Sequence, residues 1–146
     1  MDVALNHARK SLRLNPKLPM SFQVIGSIYM RKGKRKDAIK VLKQAAILDP
    51  KDKVTKYILS EAYLKLKDYN QAIKYANAAL ELESNLPGAH YNLAKCYLIK
   101  EDALNAMKHI DLVEKQYLEE KNIQFSSQAR QLKGMIMKQF DIELKT

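Results

Sequence analysis

The stretch PMSFQVIGSIYMRKGKRKDAIKVLKQAAILDPKD, residues 19–52, decides the fold of this chain. It contains two apolar faces with helical spacing, one that begins at Phe22 and one that begins at Ala38, and a polar run around Gly33 separates them. Apolar residues at i, i+3, i+4 and i+7 mark one face of an α-helix. The stretch therefore predicts two paired helices, with small residues such as Gly26 where the helices approach closely.

The pattern of this stretch recurs along the chain at an interval of 34 residues. The clearest columns are an alanine, a tyrosine and an aliphatic residue. They are Ala4, Ala38, Ala72 and Ala106; Tyr29, Tyr63 and Tyr97; and Ile25, Leu59 and Leu93. A fixed period of this length is typical of a solenoid of stacked helix pairs.

These columns resemble the tetratricopeptide repeat, a helix-turn-helix unit. The best-matching copy carries Phe22, Ile25, Gly26, Tyr29, Ala38, Leu42, Ala45 and Pro50. The resemblance implies an all-α fold, an α-solenoid of about seven helices arranged as antiparallel pairs in a right-handed superhelix. It predicts a single domain in five parts: a half-repeat with only a second helix at 1–18, full repeats at 19–52, 53–86 and 87–120, and a capping helix and tail at 121–146. The half-repeat suggests a fragment of a longer protein or a natural cap.

Helix boundaries are also predicted. Pro19 and Pro87 are expected to open the first helices of their repeats, where a missing N–H costs nothing. Asp68 and Asp102 are expected to cap second helices.

Near the carboxyl end, an amphipathic pattern predicts one further helix, with Ser126 and Ser127 as its caps. This helix either covers the last exposed core or forms the first half of another repeat. It would carry Arg130, Met137 and Lys138 into the binding positions discussed below only if a longer connection has shifted its phase.

No motif of an enzyme is present in the sequence. His7, His90 and His109 lack the spacing that gathers metal ligands on one face, and four widely separated glycines cannot build a phosphate-binding loop. The sequence therefore predicts a non-enzymatic protein with no cofactor and no metal. The single cysteine, Cys96, excludes an internal disulfide framework and is expected to be a small buried residue.

The formal net charge of the chain is +10. It has no apolar run long enough to span a bilayer and no secretory signal, which predicts a soluble protein and favours a cytoplasmic location. The sequence contains no recognisable signal that identifies the partner, the pathway or the compartment of the parent protein.

The resemblance implies that first helices line a concave groove that binds an extended or helical segment of a partner protein. The matching positions are Met20, Gln23, Ser27, Met30 and Arg31; Val54, Tyr57, Glu61, Leu64 and Lys65; and Gly88, Tyr91, Lys95, Leu98 and Ile99. Aromatic and methionine side chains offer adaptable contact area, and the cations beside them favour an acidic or amphipathic partner. The alternative is that Tyr57 and Tyr91 pack against adjacent helices and that Glu61 pairs with Lys95.

A subset of these domains holds acidic chaperone tails with a clamp of lysine, asparagine and arginine. The matching positions here are Gln23, Ser27, Ile58, Gly88 and Asn92. One repeat further along they are Tyr57, Glu61, Asn92, Ser127 and Gln131, and only Asn92 then fits the pattern. The chain is therefore not expected to be a clamp-type chaperone cofactor.

A basic patch gives a second functional hypothesis. It consists of Arg31, Lys32, Lys34, Arg35 and Lys36, around the turn between two helices. Such a run can bind nucleic acid or an anionic membrane. A solvated turn is favoured over this hypothesis because no aromatic residue that could stack on bases interrupts the run. Self-association through the exposed terminal half-repeat is a third hypothesis.

Overall fold

The computed structural model describes residues 2–142, apart from the side chain of Ile123. Within these residues all regular secondary structure is helical, which confirms the all-α fold. There are eight helices in this part of the chain instead of about seven. They are α1 (Asp2–Leu14), α2 (Pro19–Arg31), α3 (Arg35–Leu48), α4 (Lys53–Lys65), α5 (Tyr69–Leu82), α6 (Pro87–Ile99), α7 (Ala103–Glu119) and α8 (Ile123–Gln139). The end of the expected tail, residues 143–146, lies outside the described part.

The chain forms two compact units, Met1–Ser84 and Asn85–Thr146. The first unit contains α1 to α5, and within it each helix packs against its neighbours in sequence. The second unit contains α6, α7 and α8, and α7 packs against both of the others. None of the described helices is both long enough and apolar enough to cross a membrane.

Small residues lie where paired helices meet. Ala38, Ala72 and Ala106 are fully buried. At Gly26 the approach is closer still, because a β-carbon there would lie 2.5 Å from Cγ of the fully buried Leu42. The recurring alanines of the full repeats are therefore packing residues.

Ala4 differs from the other members of its column. It is exposed, whereas Leu5 and Ala8 on the same helix are buried. The reason is that α1 packs against α2 alone in the described part of the chain.

The predicted helix boundaries agree with the structure. Pro19 and Pro87 are the first residues of α2 and α6. The Asp68 carboxylate accepts a hydrogen bond from the Gln71 backbone N–H at 3.3 Å, and Asp102 caps α7 in the same way. These side chains satisfy N–H groups that the helix itself leaves free.

The predicted caps of α8 were wrong. The helix begins at Ile123, so Ser126 and Ser127 lie inside it. Its N-cap is Asn122, whose side-chain oxygen accepts a hydrogen bond from the Phe125 backbone N–H at 3.3 Å. Asparagine is as good a cap as serine, and the Asn122 position starts the helix one turn earlier.

One type of three-residue turn joins four pairs of helices: α2 to α3, α4 to α5, α6 to α7, and α7 to α8. Its middle residue has positive φ in every case, namely Gly33, Lys67, Glu101 and Lys121. In the first of these turns the N–H of Lys34 donates to the carbonyl oxygen of Tyr29 at 2.9 Å, and the other three turns repeat this bond. This is the Schellman arrangement that satisfies the last carbonyls of a helix.

The connection between α3 and α4 is different. Its first residue, Asp49, has a φ of −136°, and Pro50 follows. The turn between α7 and α8 thus belongs to the type found within repeats, and it is not the longer connection on which the extension to Arg130, Met137 and Lys138 depended. The extra length is in α7 itself, which has 17 residues where α3 and α5 have 14.

Candidate functional site

On α2, the predicted binding residues differ in exposure. Met20 is 68% exposed and Arg31 is exposed, whereas Ser27 and Met30 are half-buried. The exposed side chains are available to a partner. They give this face of α2 an apolar end and a basic end.

Gln23 has a structural contact that the sequence did not suggest. Its side-chain amide donates to the Thr55 hydroxyl at 2.7 Å and to the Asp52 carboxylate. Asp52 is also the N-cap of α4, where it accepts from the Val54 backbone N–H. Gln23 therefore joins α2 to the start of α4, a contact over 29 residues of sequence that no local pattern indicates.

On α4, the residues of the predicted set divide between surface and core. Val54 is 45% exposed, and Tyr57 is half-buried. Glu61 forms an ion pair with Lys65 at 3.3 Å on the same helix. Leu64 is buried at 9% exposure, so it packs into the core and offers little surface to a ligand.

On α6, Tyr91 is half-buried and packs against the core of the second unit. The Lys95 ammonium lies 5.6 Å from the centre of the Tyr91 ring, a cation–π contact. Burial raises the pKa of the Tyr91 hydroxyl above its ordinary value. Ile99 is 48% exposed, whereas Leu98 is buried in the same core. Gly88 is half-buried, and Asn92, the residue that fits the clamp pattern, is buried.

Every side chain of the basic patch is exposed to solvent in the structure. Arg31, Lys32, Lys34, Arg35 and Lys36 are all exposed. The Lys32 ammonium lies 2.8 Å from the Asp2 carboxylate, which neutralises one of the five cations. Lys34, Arg35 and Lys36 border a shallow pocket of about 320 Å³, together with Gly33, Asp37 and Leu66.

A histidine pair between α6 and α7 was missed by the sequence reasoning, which treated each histidine alone. Nδ1 of His90 lies 2.9 Å from Nδ1 of His109, and the His109 ring also stacks on Tyr97 with centroids 5.8 Å apart. Burial, with the neighbouring His90 as a lesser cause, lowers the pKa of His109 to about 4. With a pKa of about 4, His109 is neutral at pH 7, and a neutral imidazole can either donate or accept at Nδ1. The 19-residue separation would identify the pair only once the helix pairing is known.

The described residues contain neither a metal-binding cluster nor a reactive thiol. That part of the chain contains no group of three or more histidine, cysteine, aspartate or glutamate side chains arranged to hold a metal ion. Cys96 is fully buried, and burial raises the pKa of its thiol to about 11. A thiol in this state is a poor nucleophile.

Comparison with known families agrees with the geometry of a helical repeat. The family model described as "Anaphase-promoting complex, cyclosome, subunit 3" matches residues 1–79, more than half of the chain. A second model, described as "Tetratricopeptide repeat", matches residues 59–117. The chain is therefore a tetratricopeptide repeat protein, and it belongs to the family of the first model. No curated protein matches it significantly.

Several solved structures share the fold. The TPR2B domain of yeast Sti1, solved in a complex with pHsp70, is 21% identical, with a TM-score of 0.78 over 83% of this chain and 97% of that one. The type III secretion translocator chaperone SycD of Yersinia enterocolitica is 18% identical, with a TM-score of 0.78 over 84% and 85%. MamA is 21% identical, with a TM-score of 0.71 over 94% and 91%. At this level of identity the similarity shows the shared fold.

Proposed function

We propose that the protein is an interaction scaffold that binds an extended or helical segment of a partner protein along the first helices of its repeats. The observation that carries this proposal is the exposure of large apolar side chains on those helices. Met20 on α2 is 68% exposed and Val54 on α4 is 45% exposed, both within the first unit. Exposed apolar groups that lie close together mark surfaces that a partner covers, and Met20 and Val54 occupy the same position in successive repeats.

The polar residues beside these groups favour an acidic or amphipathic segment. Arg31 is exposed at the carboxyl end of α2, on the same face as Met20. Lys65 is paired with Glu61 at 3.3 Å, so its charge is partly offset. Charge complementarity of this kind contributes more to specificity and association rate than to affinity. The apolar contacts are therefore expected to supply most of the binding free energy.

The experiment uses a peptide selected from a display library against the purified chain, with affinity measured by calorimetry. The surface variant combines Met20→Glu and Val54→Glu, which place charges on two exposed positions and leave the core intact. We expect it to weaken binding by at least about tenfold, the loss of one well-packed contact. Tyr91→Ala is a poor choice because Tyr91 also packs against the core.

The matched control is Ile47→Glu on α3. Ile47 is 69% exposed but lies on a second helix, so the same change of chemistry is made away from the proposed surface. Affinity should then stay within about twofold of the unmodified chain. Equal losses in the control and the surface variant would contradict the proposal.

The basic patch supports a second candidate function, the binding of an anionic ligand such as nucleic acid or a membrane surface. The favouring observation is that all five cations are exposed around one turn, with Lys34, Arg35 and Lys36 bordering a common pocket. Clustered cations bind phosphates by releasing counterions, so the interaction would be strongly dependent on salt.

A further inference from the structure

A stacked pair of rings joins the two helices in two of the three full repeats. Tyr75 on α5 stacks on Tyr63 of α4, with centroids 5.5 Å apart and planes inclined by 9°. His109 on α7 stacks on Tyr97 of α6, at 5.8 Å and 5°. Both rings of the second pair follow those of the first by 34 residues, so the two pairs occupy one and the same position of the repeat.

The first repeat has the tyrosine but lacks the second ring. Val41 stands in α3 where Tyr75 and His109 stand in the other repeats. Beside Tyr29 there is an open pocket of about 380 Å³, which we name the ring slot. Its walls are Phe22, Tyr29, Asp37, Lys40, Val41 and Gln44. The ring slot is thus a space that the other two repeats fill with a ring of their own.

The size and chemistry of the ring slot suit one aromatic side chain. A closed cavity of about 150 Å³ is known to hold a benzene ring, and the ring slot is larger. Offset stacking on a tyrosine is the favoured arrangement of aromatic pairs. The hydroxyl of Tyr29 accepts a hydrogen bond from Nη2 of Arg9 at 3.1 Å, which fixes the ring that a ligand would stack upon.

The charge around the ring slot indicates what kind of partner segment would carry that aromatic side chain. Helices α1, α2 and α3 carry eight basic and only two acidic side chains, and Lys40 and Asp37 border the slot itself. This net positive charge attracts an acidic chain. We propose that the ring slot binds an aromatic side chain within an acidic segment of a partner protein.

The ring slot is separate from the surface proposed above. At 100° per residue, Phe22 and Tyr29 lie about 160° around α2 from the mean direction of Met20, Gln23 and Arg31. Ligands of the two sites therefore approach α2 from different sides. Each site can be tested without disturbing the other, and failure of one proposal leaves the other intact.

The experiment uses the whole chain and the peptide Asp-Glu-Trp-Glu-Asp as probe. The chain contains no tryptophan, so the indole fluorescence of the peptide reports binding alone. The decisive variant is Val41→Tyr, which supplies the missing ring as Tyr75 does in the second repeat. We expect this variant to bind the probe about three- to tenfold more weakly, which is the contribution of one stacked ring. Val41 also packs against the buried cluster of α1 and α2, so thermal unfolding is measured in parallel, and the variant should remain folded at the assay temperature.

Two further variants keep the test decisive. Lys40→Glu changes an exposed charge at the rim and should weaken the probe in a folded protein. Tyr75→Val opens the matching position of the second repeat and should add a second binding event. A probe with alanine in place of tryptophan should bind at least about threefold more weakly. If Val41→Tyr and Lys40→Glu both leave the affinity unchanged, or the alanine probe binds equally well, the proposal is refuted.

Discussion

Replacing Gly26 by alanine measures how tightly the helix pair of the first repeat is packed. The added β-carbon would lie 2.5 Å from Cγ and 2.6 Å from Cδ2 of Leu42. Leu42 is fully buried and cannot swing into solvent, so either its side chain must repack inside the core or the two helices must shift. Overpacking of this kind costs about 1–3 kcal/mol. Alanine in a helix interior regains about 1 kcal/mol over glycine, which leaves a net loss of about 1 kcal/mol of unfolding free energy.

Gly134 provides the matched control for this substitution. It also lies inside a helix, α8, but nothing lies within 4 Å of the position of its β-carbon. Gly134→Ala should therefore stabilise the protein by about 1 kcal/mol. Urea unfolding followed by circular dichroism gives both values. Their difference isolates the overpacking cost and should fall between about 1 and 3 kcal/mol.

A rescue variant sharpens the comparison. In the third repeat Ala94 and Ile110 occupy the positions of Gly26 and Leu42, and both are fully buried in one core. Gly26→Ala combined with Leu42→Ile copies this pair and should recover most of the lost stability. If Gly26→Ala stabilises the protein as much as Gly134→Ala does, the reasoning about close approach is wrong.

Three further predictions concern titration, reactivity and charge. The pKa of the His109 side chain is about 4 in the folded state and 6.5 ordinarily. As the pH falls, the unfolded chain therefore takes up this proton before the folded chain does, and the free energy of unfolding should fall by about 2 kcal/mol between pH 6.5 and 4. Denaturant titrations should show a smaller change of this free energy with pH for His109→Gln. Cys96 should react with iodoacetamide near about pH 8 at least about a hundredfold more slowly in the folded chain than in denaturant, and equal rates would show an accessible thiol. If the basic patch binds nucleic acid, affinity for a DNA duplex should fall steeply with salt, and Arg35→Glu with Lys36→Glu should abolish it; binding that ignores both changes would exclude the patch.

The fold could be predicted from the sequence because packing and helix termination leave local marks. Small residues such as Ala38 and Ala72 must recur where helices cross, and a 34-residue step makes them visible. Pro19 and Asp68 act on the first turn of their helices alone, so no tertiary information is needed to place them.

The surface was harder to predict because exposure depends on neighbours that are distant in sequence. Leu64 and Leu98 belong to the same repeating column as Met30, yet both are buried and Met30 is not. A position in the repeat determines the direction in which its side chain leaves the helix. The exposed fraction of that side chain depends on the residues that pack beside it. The role of Gln23 depends likewise on Asp52, which reaches it only after α2 and α4 have come together.

The ring slot was missed for another reason. A repeat is recognised by the residues that recur, and Val41 belongs to a position where the residue type changes from valine to tyrosine to histidine. Such a position carries no repeat signal. Its meaning appears only when the rings of Tyr75 and His109 are seen stacked on the tyrosine column.

The turn at residues 120–122 determines where this protein can be lengthened. A module of 34 residues inserted at the α3–α4 connection, residues 49–52, would begin with a first helix and end with a second helix, so every column would keep its place. A module joined after α7 would instead enter a turn that pairs α7 with whatever follows it. The first helix of that module would then occupy the position of a second helix. The tyrosine of that helix would point away from the residues that it contacts in a normal repeat. An engineer who wants a longer array should therefore open the chain at Asp49 and leave Lys121 untouched.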